Sequence, residues 1–313
     1  MPTHFSDRLC EAVREKATPL IIGLDPVYER IKPVINAEND ITALSAEANA
    51  VYKFGSQIIN IAAPLVPAIK INIAFFEKYL WKGIEAYYNL IAEAKELGLM
   101  VIGDIKRGDI GHSAAAYAAA HLADIQRDEL EEVVSCDAVT VNGYTGLDGI
   151  QPFAQQALSG GKGIFVLVRT SNPSAAEIQD FSDKDGQKMY EKVAEIVNNI
   201  AENSEYVGKN GYSCVGMVVG GTSPDTTSAL RQKYDKIWFL VPGFGAQGAG
   251  AVDCIRFCKP DGTRALINAS RSIIYAFERE EYKKQFGDDW KRCVEQAVID
   301  AKMLLSNAMQ DKL

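Results

Sequence analysis

Short apolar runs rich in β-branched residues recur along the chain, separated by polar or helically patterned stretches. The runs are Leu20–Leu24, Val66–Ile71, Met100–Gly103, Ala138–Val141, Gly163–Val168, Cys214–Val219, Ile237–Val241 and Ala265–Ile267. Each is apolar on both faces, which marks a buried parallel strand. Between them, apolar residues at helical spacing predict helices over Thr42–Ala63, Ile84–Leu97, Ser113–Leu130 and Gln187–Asn203, with a terminal helix over Gly287–Met309. Strands that alternate with helices build parallel βαβ units. Eight such strands favour an α/β fold of the (β/α)8 barrel kind over an open doubly wound sheet. No repeat or linker divides the pattern, so residues 1–313 are expected to form one domain. Two connections, Asn172–Gln187 and Asn203–Tyr212, are long, and long connections in a compact domain are often functional.

In parallel barrels the reacting groups gather where strands end. The first run ends in Gly23-Leu24-Asp25-Pro26, the second contains Lys70, and the third leads into Asp104-Ile105-Lys106-Arg107-Gly108-Asp109. Asp104 and Lys106, two apart on a strand, point to the same side. Lys70 lies in the apolar stretch Ala68–Phe76, where an unpaired ammonium is costly, and Asp104 is its natural partner. The expected result is a line of alternating charge: Lys70, Asp104, Lys106, Asp109. A single Asp–Lys pair is more often a solvated strand end. Two lysine-bearing strand ends, one of them with two aspartates as well, are harder to read that way.

The last two strands lead into a second feature. Pro242–Gly250 carries glycines at 243, 245, 248 and 250, and Arg271 follows the eighth run at the start of an expected helix over Ser270–Phe277. Glycine-rich turns let backbone N–H groups converge on an anion, and barrels commonly bind phosphate at this place. A structural turn beside a surface arginine is the plainer alternative. His112 reads as a helix-start residue, Glu77 as either an acid or a helix start, and Trp81, Trp238 and Trp290 as packing residues.

Composition narrows the partners. The net charge of −8 argues against a nucleic-acid surface but leaves room for a small anionic ligand. Six scattered cysteines without a CxxC pair, and only three histidines, make a metal site unexpected. Cys254 and Cys258 read as small apolar residues on one helix face. The N-terminal stretch Met1–Thr18 lacks the apolar core of a signal peptide, and no run is long enough to span a membrane. The expected location is the cytoplasm.

The hexapeptide Asp104–Asp109 resembles the Asp-x-Lys-x-x-Asp signature of the orotidine 5'-phosphate decarboxylases, closest to the longer bacterial form of that family. Phe5–Leu9, Gly23–Pro26, Ala74–Glu77, Val168–Pro173 and Pro242 to Gln247 are similar to the same family in the same order. The resemblance runs from about residue 5 to residue 275, with departures at Ile71, Ser174 and Ser270. It implies a (β/α)8 barrel that works as a homodimer and decarboxylates orotidine 5'-phosphate without cofactor or metal. It implies that Lys70, Asp104, Lys106 and Asp109 form the charged network, Asp109 reaching into the partner's site, with Lys106 the proton donor. Asp25 is implied for a ribose hydroxyl, Ser171 for the pyrimidine edge, Gln247 and Arg271 for the phosphate, and Ser113 for a place near the partner's site. Three alternatives remain open: a magnesium-dependent phosphosugar lyase of the same barrel group, a Schiff-base aldolase using Lys70 or Lys106, and an inactive nucleotide-binding protein.

Overall fold

The computed structural model describes residues 2–35, 43–127, 130–221, 224–245 and 248–311. Its strands are β1 (Leu20–Leu24), β2 (Ala68–Asn72), β3 (Met100–Arg107), β4 (Ile125–Arg127), β5 (Leu130–Val133), β6 (Ala138–Asn142), β7 (Gly163–Arg169), β8 (Val215–Val219), β9 (Phe239–Pro242) and β10 (Ala265–Ala269). Eight of them close a barrel in the order β1-β2-β3-β6-β7-β8-β9-β10, and every pair in it is parallel. These eight strands are the eight apolar runs. Their backbones are buried on both sides, by barrel interior within and helices without, so only chains of apolar residues satisfy them. The fold is a (β/α)8 barrel.

The helices follow the apolar spacing at Ala43–Ala62, Leu80–Glu96, Met189–Ala201 and Trp290–Gln310. The Leu80–Glu96 helix buries Gly83, Ala86, Tyr87, Leu90, Ile91 and Ala94, one stripe at helical spacing. Trp81 falls off that stripe. It is exposed, with the Lys82 ammonium 4.2 Å above its ring, and so is not the packing residue expected. Trp238 and Trp290 are buried. Trp290 stacks on Phe54 at 5.3 Å and joins Tyr275 and Phe277 in an aromatic cluster. That cluster is where the terminal helix docks.

Two other expectations are corrected. The helix predicted over Ser113–Leu130 is Gly111–Leu122, and β4 and β5 then form an antiparallel hairpin. The reason lies in Asp124, whose carboxylate accepts from Ser135 N at 3.0 Å and Lys162 Nζ at 2.7 Å. The chain must return to its starting point within eleven residues, which a helix running on at 1.5 Å per residue cannot do. The helix predicted over Ser270–Phe277 splits into Arg271–Ile274 and a 3-10 turn over Ala276–Glu278. Between them, Tyr275 Oη donates to Asp25 O at 2.8 Å and accepts from Val27 N at 2.7 Å. That bridge braces the end of β1 against the end of β10.

The N-terminal helix Phe5–Lys16 covers the opposite end of the barrel. Phe5 meets Phe165 edge-on at 6.1 Å, and Arg8 pairs with Asp137 at 2.7 Å just before β6. With that end plugged, access to the barrel is from the C-terminal ends of the strands.

Candidate active site

A cavity of about 400 Å³ opens at the C-terminal mouth of the barrel. Its two halves differ in chemistry. Leu167, Val218 and Leu240, from β7, β8 and β9, form an apolar wall. The facing half is polar: Asp25 after β1, Lys70 and Asn72 from β2, Asp104 and Lys106 from β3, Thr140 from β6, and Asn268 and Ser270 at β10. The two-residue spacing within β2, β3 and at β10 is that of side chains sharing a strand face.

Charge is concentrated on four of these groups, Asp25, Lys70, Asp104 and Lys106. Lys70 Nζ lies 2.7 Å from Asp104 Oδ2 and 3.8 Å from Asp25 Oδ1. Lys106 Nζ lies 2.5 Å from Asp104 Oδ1. Lys70 and Asp104 are each only 6% exposed, whereas the Lys106 side chain is 47% exposed and reaches into open space. Burial opposes ionisation of Asp104, but the two flanking ammonium groups outweigh it and hold the carboxyl well below the usual carboxylate range. Burial likewise disfavours charge on Lys70, and Asp104 followed by Asp25 reverses the effect, so its pKa is raised. Lys70 and Asp104 are thereby fixed as ions at neutral pH.

Lys106 has a left-handed backbone, with φ of 47°. Such a conformation costs on the order of 1–3 kcal/mol in a non-glycine residue and persists only where the surroundings impose it. Asp25 is held by Ser270, whose hydroxyl donates to Oδ2 at 2.5 Å. Asp25 Oδ1 and Asn268 Oδ1 are buried and accept no hydrogen bond among the described residues, so both are acceptors ready for a ligand hydroxyl. Gly23 makes room for this corner: a Cβ there would lie 2.8 Å from Ser270 Cβ and 3.0 Å from Asn268 Oδ1.

The β7 end supplies Thr170, Ser171 and Asn172 to the cavity rim. Arg169 grips Asp180 with two bonds of 3.1 Å, and Gln179 binds Thr170 through both its backbone N–H and its hydroxyl. The segment Thr170–Asn172 is thereby tied to the short helix Ala175–Gln179. At β9, Gly243 and Gly245 have φ of 109° and 78°, conformations that favour glycine. Exposed Arg271 stands at the rim beside them.

Of the residues singled out in the sequence, Asp25, Lys70, Asp104, Lys106, Ser171 and Arg271 meet at this cavity. Asp109 and Ser113 do not line it. Asp109 makes no ion pair among the described residues, and its carboxylate accepts from Ile110 N at 2.8 Å. Ser113 is on the exposed side of the Gly111–Leu122 helix. Gln247 lies outside the described residues. Asn72, Thr140 and Asn268 also line the cavity, although nothing in the charge pattern of the sequence singles them out. The available signal was a polar residue inside an apolar strand run, at even spacing from a charged one or at the same height in the next strand. Glu77 ends the short helix Ala74–Glu77 and pairs with Arg107 outside the cavity. Cys254 and Cys258 are buried, and no cluster of three or more potential metal-ligating acids, histidines and cysteines occurs among the described residues.

Residues 18–285 match the model of the orotidine 5'-phosphate decarboxylase / HUMPS family. The chain is 36% identical over 284 residues to the orotidine 5'-phosphate decarboxylase of Clostridium perfringens, covering 91% of this chain and 93% of that one. It is 37% identical over 297 residues to the enzyme of that name from Rhodopirellula baltica, with 94% and 96% covered. The solved structure of Leishmania donovani OMP decarboxylase superposes with a TM-score of 0.71 at 28% identity, covering 98% of this chain and 99% of that one. The barrel, the cavity at its mouth and these likenesses lead to one conclusion: the chain belongs to the orotidine 5'-phosphate decarboxylase / HUMPS family.

Proposed function

We propose that this protein, acting over residues 1–313 as one domain, decarboxylates orotidine 5'-phosphate to uridine 5'-phosphate in pyrimidine nucleotide biosynthesis, with Lys106 as proton donor. The observation that carries the reading is the Lys70–Asp104–Lys106 ion chain at the mouth of a barrel whose opposite wall is apolar.

Loss of carbon dioxide from C6 breaks the C6–carboxylate bond and leaves an electron pair in the plane of the pyrimidine ring. The ring π system does not accept that pair, so fixed charge must stabilise it. The half-exposed Lys106 ammonium is the group free to stand beside C6. It stabilises the developing carbanion and passes one proton to it, forming the C6–H bond, and the resulting amine regains a proton from solvent. Asp104, held as an anion between two cations, fixes the ammonium in place. Asp25 accepts from a ribose hydroxyl, Ser171 meets the pyrimidine edge, and Gln247 and Arg271 hold the phosphate, whose binding energy helps fix the reacting end. The reaction as written uses no metal or organic cofactor.

A homodimer with shared sites accounts for Asp109, which stands away from the cavity of its own chain. Ile110, Tyr117, Tyr144 and Leu147 are exposed apolar side chains: Ile110 adjoins Asp109 in sequence, Tyr117 and Leu147 lie on the two helices that follow, and Tyr144 stands in the turn before the second of them, and such side chains support a protein interface. Ser113 shares the helix that begins beside Asp109 and is placed near the partner's site. Six free, buried cysteines support a reducing cytoplasm. Among the described residues no helix is long and apolar enough to cross a membrane.

The test is a spectrophotometric assay with orotidine 5'-phosphate after exhaustive chelation. Full turnover is expected. Activity that disappears with chelation and returns with magnesium would replace this reading with the phosphosugar-lyase one. Tight nucleotide binding without turnover would replace it with the inactive-binder one, and borohydride trapping of a lysine adduct with the aldolase one.

A further inference from the structure

The strand that carries the charges breaks register with its neighbour where the charges sit. Gly103 of β3 pairs with Val139 of β6, and the next pair is Arg107 with Val141. Asp104, Ile105 and Lys106 therefore share a stretch of β6 occupied by Thr140 alone. A bulge of this kind takes backbone groups out of the ladder and re-aims side chains. One such group, Lys106 N, donates instead to Thr140 Oγ1 at 3.0 Å. The same hydroxyl donates to Asp104 Oδ1 at 2.9 Å, the oxygen that receives Lys106 Nζ. A hydroxyl has one proton and two lone pairs, so both bonds are satisfied at once. Thr140 is 1% exposed, and its hydroxyl joins the backbone of Lys106 to the carboxylate that holds the Lys106 amine.

We propose that Thr140 is a positioning residue for the decarboxylation, an inference that rests on the reading of the site given above. Its hydroxyl takes the place of the lost ladder partner, keeps Lys106 in the left-handed conformation, and orients Asp104 Oδ1. The ammonium is then presented from one backbone geometry instead of several. Valine has nearly the same shape and makes neither bond. Without the hydroxyl, Lys106 N loses its partner, and the residue can relax toward an ordinary strand φ, carrying Nζ away from the reacting carbon. A misplacement of about 1 Å is worth on the order of 10²-fold in rate.

The experiment compares wild type with Thr140→Val, Thr140→Ala and Thr140→Ser. It measures kcat and KM for orotidine 5'-phosphate, calorimetric Kd for uridine 5'-phosphate, and the φ of Lys106 in crystals. The valine and alanine variants are expected to lose about 30- to 100-fold in kcat while Kd changes by no more than about threefold. Lys106 should leave the left-handed region in both, and serine, which keeps the hydroxyl, should restore kcat to within about threefold of wild type. Alanine carries the comparison if valine does not fold. The proposal is overturned by an unchanged kcat in valine, by equal losses in kcat and product affinity, by a serine variant as slow as valine, or by an unmoved φ. A wild type that fails to turn over the substrate would instead sink the proposed function, and the crystallographic comparison would still decide whether Thr140 holds Lys106.

Discussion

Lys106 and Lys70 share one carboxylate but stand in different surroundings, and the difference separates their roles. Lys70 is buried between Asp104 and Asp25, so its removal would strand two acids. Lys106 is half exposed, and without it Asp104 still has Lys70 at 2.7 Å. Lys106→Ala should therefore fold normally, bind uridine 5'-phosphate measurably and lose nearly all turnover. Near-normal turnover in that variant would remove Lys106 as proton donor. The Lys70–Asp104 pair should also be insensitive to pH around neutrality. The depressed pKa of Asp104 gives stability that is present above its unfolded value, about 4, and lost as pH falls through the folded one. The raised pKa of Lys70 gives stability that is complete below about 10.4 and lost only as pH rises through the folded value.

At the scale of elements, the helix Gly111–Leu122 and the segment after β7 each carry a testable constraint. His121, near the end of that helix, is buried beside Tyr87 and Tyr88, and its Nδ1 has no hydrogen-bond partner among the described residues. Burial, with a contribution from Arg107, lowers its pKa to about 4. The unfolded chain binds the proton between the ordinary value of about 6.5 and that lower one, so stability should fall across this interval by roughly 3 kcal/mol as pH drops. Chemical denaturation at intervals from pH 7 to pH 4 measures it, and His121→Phe should flatten the slope. An equally steep fall in that variant would assign the effect elsewhere. After β7, the Arg169–Asp180 pair fixes the segment that presents Ser171. Loss of a charge-assisted contact is worth about 1.5 kcal/mol. Asp180→Asn is expected to raise KM about tenfold with little change in kcat, because it disturbs a binding contact and not the proton transfer. Steady-state kinetics that show the reverse split would contradict that division of labour.

For the whole molecule, the position of Asp109 bears on assembly. If each site takes Lys106 from one chain and Asp109 from its partner, the variants Lys106→Ala and Asp109→Ala are both inactive alone. Mixed and allowed to exchange, half the dimers are hybrids, and each hybrid contains one intact site. Activity should recover to about a quarter of wild type. A mixture as inactive as its parents, with exchange confirmed by mass, would show that the sites are not shared.

Much of this protein is legible in one dimension. Strands buried on both faces must be written as continuous apolar runs, so the eight barrel strands stand out, and a lysine inside such a run demands a counter-ion, which makes Lys70 and Asp104 a pair in the sequence alone. Local periodicity failed where long-range contacts decided. Asp124 turned a helix into a hairpin by binding Ser135 and Lys162, and Tyr275 interrupted a helix to brace Asp25. The bulge opposite Thr140, the left-handed Lys106 and the division of the cavity into a charged and an apolar half depend on register between strands distant in sequence. Residue type and spacing determined which charges this chain carries at its strand ends; only closure of the barrel decided which of them face one another.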